Sequence, residues 1–109
     1  MTRAELVRST RQLIAEGDRI VANPGLAALN TWLQLSDDLL GRAWGSMDRY
    51  HLAWLQVGRP AAIVRGRAMT AAEEAAYVRE VATAKTAVLK MSVEALTRHA
   101  MPFVGETRD

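Results

Sequence analysis

Three pairs of adjacent apolar residues near the start of the chain, Leu6-Val7, Leu13-Ile14 and Ile20-Val21, recur at an interval of seven. Two small residues between them, Thr10 and Gly17, keep the same interval. A seven-residue repeat of apolar pairs with small residues between is the packing seam of a helix in a bundle or coiled coil. A strand, which alternates faces every second residue, cannot use such a pattern. Gly17 costs roughly 1 kcal/mol in a helix interior relative to alanine, so its expected return is the close approach of a neighbouring helix. Thr2-Arg3-Ala4-Glu5 has the spacing of a capping box, and a first helix is predicted over 3–22.

The rest of the chain follows the same logic. Asn23-Pro24 suits the end of one helix and the first turn of the next. Leu26, Leu29, Leu33, Leu40 and Trp44 then fall on one face, flanked by Trp32 and Leu39, while Asp37 and Asp38 are expected to face water. Gly41 and Gly45 weaken that helix, and a kink or break is predicted near Gly45-Ser46, with Ser46 able to cap a continuation through Met47, Tyr50, His51, Trp54 and Leu55. Gly58 and Pro60 end it. Thr70-Ala71-Ala72-Glu73 is a second capping box. It opens the longest helix, expected to reach Ala100 and marked by Val78, Val81, Ala82, Val88, Leu89, Ala95 and Leu96. The fold class is therefore all-α: a small bundle of three to four helices, five at most, near 3–22, 24–44, 46–57 and 71–100. Residues 1–102 form one domain. Residues 103–109 form a short tail, expected to fray unless Phe103 docks. Whether 24–57 is one kinked helix or two stays open.

The chain is 109 residues long, half of them hydrophobic, with a formal net charge of only +2. Cysteine is absent, which removes disulfides, thiol chemistry and Cys-ligated metal sites. No apolar run reaches the ~18 residues of a membrane span, and the start turns polar at once, so a cytoplasmic protein without a leader is expected. No cofactor or small-molecule substrate is expected. Of the 14 basic residues only Lys85 and Lys90 are lysine, a bias that fits a GC-rich genome and equally fits phosphate recognition by guanidinium groups.

Three constellations invite a function. The connector 58–69 carries Arg59, Arg65 and Arg67 and no acid. Its arginines either pair with Glu73, Glu74, Asp37 and Asp38 or contact a phosphate backbone, where Arg8 and Arg19 on one face of the first helix, with Arg11 at its edge, would extend the patch. Trp32, Trp44, Trp54 and Tyr50 crowd the middle of the chain. They are expected to be core in large part, with a partly exposed tryptophan marking a protein interface. Asp48 and His51 stand three apart and share a helical face, as in di-metal bundles. Those bundles need a second such pair and two further carboxylates, whereas the second histidine, His99, has Leu96 three before it. A local Asp48–His51 hydrogen bond is the simpler expectation, and no serine sits in a nucleophile elbow.

In size, helicity and its scattered Arg8, Arg11, Arg19, Arg59, Arg65 and Arg67, the chain resembles the small all-helical subunits of multi-subunit CRISPR effector complexes. That resemblance implies a non-catalytic subunit of a nucleoprotein assembly, packed against neighbouring subunits and contacting single-stranded RNA or DNA through its backbone. The alternatives are a protein–protein interaction module (an antitoxin, adaptor or homodimer), or a small metal-dependent or acid/base enzyme using Asp48 and His51.

Overall fold

The computed structural model describes residues 1–58 and 68–107. They form four helices, α1 (Arg3–Ala22), α2 (Leu26–Trp44), α3 (Arg49–Gln56) and α4 (Ala71–Thr97), with no strand among the described residues. The all-α reading holds, and 24–57 is two helices rather than one.

Both capping boxes form. Thr2 accepts from the Glu5 N–H and Thr70 from the Glu73 N–H, while each glutamate reaches back to the backbone of its threonine. The hydrogen bonds from Thr2 hold the Glu5 carboxyl below the usual carboxylate range. Two other helix starts differ from expectation. Asn23 closes α1, its N–H donating to the Arg19 carbonyl, and the N-cap of α2 is Gly25, which has no side chain to offer. Asp48, not Ser46, caps α3, accepting from the Arg49 N–H. A carboxylate is the stronger acceptor for those first free N–H groups. α4 stops at Thr97 rather than Ala100, where the backbone turns left-handed at φ 47°.

α1 packs most extensively against α4. Arg3 Nη1 donates to the Leu96 carbonyl and Arg79 Nε to the Val21 carbonyl, so the first and last helices run antiparallel. The heptad seam is the buried line of α1, through Leu6, Thr10, Gly17 and Ile20. Thr10 satisfies its hydroxyl on the Leu6 carbonyl, and Ser92 on that of Leu89, so both are tolerated in the core. All seven residues of the predicted α4 stripe are buried. On α2 the buried line runs through Leu29, Trp32, Ser36, Leu39, Leu40, Ala43 and Trp44, rotated from the expected face so that Leu26 is exposed and Leu33 half-buried.

Gly17 is the tightest point. A Cβ there would lie 2.2 Å from Thr86 Oγ1 on α4 and 2.9 Å from Trp32 Cζ2 on α2. The missing side chain lets three helices meet, and it lets the Trp32 indole donate to the Leu13 carbonyl at 2.8 Å.

The tail does not fray over 101–107. Phe103 is buried beside Trp44, with ring centroids 6.0 Å apart, and the Arg3 guanidinium lies over its ring. Gly105 N–H donates to the Ala43 carbonyl, Thr107 N–H to that of Met1, and Arg3 pairs with Glu106. Phe103 was the one residue expected to anchor it, and the backbone bonds on either side follow.

Replacing Gly17 with alanine would raise helix propensity by about 1 kcal/mol on an open surface. Here Gly17→Ala is expected to lower stability in urea denaturation by about 1–2 kcal/mol through overpacking. The loss should shrink in a Thr86→Ala background, because the hydroxyl that the new Cβ strikes has no hydrogen-bond partner among the described residues.

Candidate functional site

A groove of about 770 Å³ opens between α1 and α2. Its floor is Leu13, Trp32 and Leu39, its rim includes Ser9, Gln12 and Thr31, and Leu35 stands at the lip 56% exposed. The groove exists because α1 and α2 meet through the Trp32 indole, whose bulk keeps the two backbones apart on the outer side. Each end holds one ion pair made within a single helix: Glu16 with Arg19 on α1, and Asp38 with Arg42 on α2 at 2.9 Å. Each end is thus close to neutral and the middle is apolar. Sequence reading assigned α2 a single apolar face and passed over Leu35. The available signal was the spread of leucines at 26, 29, 33, 35, 39 and 40, too wide an arc for one buried stripe.

The predicted basic patch is only partly placed. Arg59, Arg65 and Arg67, with most of the 58–69 connector, lie outside the described residues. Arg8 and Arg11 are exposed on α1, next to Gln12 and a shallow depression floored by Ala4, Val7 and Ala15. Arg19 belongs instead to the groove end, paired with Glu16. Arg3 and Arg98 also pair with acids, Glu106 and Glu94.

None of the three tryptophans is an exposed interface residue. Trp32, Trp44 and Trp54 are 1%, 3% and 4% exposed, and only Tyr50 is half-buried, set edge-on against Trp44 with ring centroids 4.7 Å apart. The expectation of a partly exposed tryptophan fails for a specific reason in each case: the Gly17 notch takes Trp32, Phe103 of the tail covers Trp44, and Lys85 covers Trp54. Lys85 went unnoticed in the sequence. It sits within the α4 stripe, buried, its ammonium 3.9 Å from the Trp54 ring centroid and donating to the Trp54 carbonyl. Its charge thereby meets both an aromatic face and the end of α3.

Asp48 and His51 do not pair. Asp48 is spent on capping α3, and His51, 6% exposed, uses both ring nitrogens elsewhere. Nδ1 accepts the Met47 N–H at 2.8 Å, and Nε2 is hydrogen-bonded to the Asp37 carboxylate. Asp37, expected to face water, is half-exposed and turned to this contact. A residue at the N-cap points back along its own helix start, which takes Asp48 away from the face that spacing alone assigns it. Among the described residues no cluster of three or more His, Asp or Glu could hold a metal ion, and no helix is long and apolar enough to cross a membrane.

No family model matches the chain, and neither the curated proteins nor the solved structures compared with it show a significant match.

Lys85→Met keeps the apolar stem and removes the charged donor. It is expected to cost about 1–3 kcal/mol, the range for a hydrogen bond from a charged group, read as a lower urea midpoint and a shifted tryptophan emission. An unchanged midpoint would mean that burying the ammonium consumes all that its contacts return.

Proposed function

We propose that this chain is a protein–protein interaction module, without a catalytic role, that receives an amphipathic helix from a different protein in the α1–α2 groove. The carrying observation is the groove itself: an apolar floor with Leu35 exposed at its lip, closed at each end by a self-neutralised ion pair. On α2 it runs from Ala28 to Arg42, roughly 21 Å of helix, which suits three to four turns of a partner helix. Such a helix would bind through large apolar anchors spaced i, i+3 or i+4, i+7.

The charges along the groove follow a fixed order. Trp32 on the Leu13 carbonyl sets the level of α2 against α1, so the groove reads Arg19, Glu16, Leu35, Asp38, Arg42 from one end to the other.

Display of a random helical-peptide library against the purified protein tests this. Expected binders carry the apolar spacing above and lose at least tenfold in affinity, about 1.4 kcal/mol, with Leu35→Asp, whose exposed position leaves the unfolding free energy within about 0.5 kcal/mol of the parent. Binders indifferent to Leu35→Asp would refute the groove as the site. A dimer in light scattering that Leu35→Asp splits would refute the heterologous partner.

A second reading has its own observation, the neighbouring exposed Arg8 and Arg11 on α1. In it the chain is a cytoplasmic subunit of a nucleoprotein assembly, touching single-stranded nucleic acid through its phosphates, as the likeness to small CRISPR-complex subunits implied. Fluorescence anisotropy with a labelled single-stranded RNA would show binding at low salt. The slope of log K against log salt should flatten by about 1.4 in the Arg8→Glu/Arg11→Glu double variant, two contacts at roughly 0.7 each. No binding at low salt, or an unchanged slope, removes it.

A further inference from the structure

We propose that His51 is a proton-operated latch on the corner between α2 and α3. The corner is a strained piece of backbone. Gly45, Met47 and Arg49 have φ of 104°, 61° and 34°, so three of five consecutive residues lie in the left-handed region and two of those carry a Cβ. Such conformations persist only where their surroundings hold them. Two bonds hold the turn from within: Asp48 N–H to the Gly45 carbonyl at 3.2 Å, and Arg49 N–H to the Asp48 carboxylate. The third comes from a side chain on α3, His51 Nδ1 accepting the Met47 N–H.

That third bond sets the tautomer. A nitrogen that accepts a hydrogen bond has a free lone pair, so neutral His51 carries its proton on Nε2 and donates it to Asp37. Protonation can then occur only at Nδ1. The incoming proton takes the lone pair that held Met47, two N–H groups face each other, and the bond is lost. The imidazolium keeps Asp37 as its partner and is drawn towards α2. Solvent reaches the ring through a pocket of about 450 Å³ lined by Gln34, Asp37, Gly41 and Ser46. From α2 the charged groups facing the ring are Asp37, Asp38 and Arg42, the last two paired with each other. From the corner they are Asp48 and Arg49. On the remaining side Trp54 stacks on the imidazole, and Lys85 of α4 also lies over the Trp54 ring.

The corner also carries the tail. Gly105 donates to the Ala43 carbonyl just before the turn, Val104 lies against Gly45, and Arg49 reaches Met101 Sδ. Release of Met47 therefore loosens the seat of residues 101–107 as well as the turn.

Nitrogen-15 NMR of the full chain across a pH titration tests the latch. The expected result is an Nε2–H tautomer for neutral His51. Met47 amide protection should fall at least tenfold, and the Gly105 amide should shift, both with the midpoint of His51 and not with that of exposed His99. In His51→Gln the amide oxygen can still accept the Met47 N–H but cannot titrate, and Met47 is expected to stay protected throughout. An Nδ1–H tautomer, a Met47 amide indifferent to the His51 midpoint, or a Met47 transition that survives His51→Gln would each overturn the proposal. Should His51→Gln not fold, the tautomer and the Met47 midpoint in the parent chain and in His99→Gln decide it alone.

Discussion

The Trp32 indole over Gly17 is the contact on which the arrangement of the other helices depends. It fills the notch left by an absent side chain, takes a backbone carbonyl of α1 as its hydrogen-bond partner, and lies beside Thr86 of α4 at the same level. Three helices are registered by one ring. The same ring makes the outer side of the α1–α2 pair open, because two helices joined through an indole cannot close down along their whole length. Core packing and the candidate binding surface are therefore two sides of a single residue.

Local signals in the sequence are legible where residues a few positions apart decide the outcome. The two capping boxes, the heptad seam of α1, the α4 stripe and the break near Gly45 all depend on residues a few positions apart, and all are present. The meaning of Gly17 as a point of close approach was legible too, though not which neighbour approaches. What escaped were pairings across the chain. Trp44 is sheltered by Phe103 and Trp54 by Lys85, partners 59 and 31 positions away, and no periodicity reports them. The N-caps went astray for a related reason: Asn23 and Asp48 each had two plausible local uses, and the tertiary path of the backbone chose between them.

The charged residues show how little a count of arginines says about a surface. Arg3, Arg19, Arg42 and Arg98 each lie beside an acid, and for the last three that acid is one turn back along the chain. Pairs at that spacing are favoured in any exposed helix, and they cancel the long-range field that would draw an anion. Among the described residues Arg8 is near Glu5, Arg49 turns to Met101 and Arg79 to the Val21 carbonyl, and Arg11 is exposed on α1.

The antiparallel contact between α1 and α4 has a consequence for how the chain comes to be folded. α1 has its main partner in α4, the described helix furthest from it along the chain. During synthesis the seam of α1 must wait, exposed, until α4 leaves the ribosome. Its interim shelter is α2, which follows after a turn of three residues, Asn23 to Gly25, and offers Trp32 to the Gly17 notch. A helical hairpin that closes early and locally, then accepts the long helix across its inner side, keeps the apolar seam out of contact with other nascent chains. Folding of this kind is paced by the arrival of α4 rather than by the formation of any single helix.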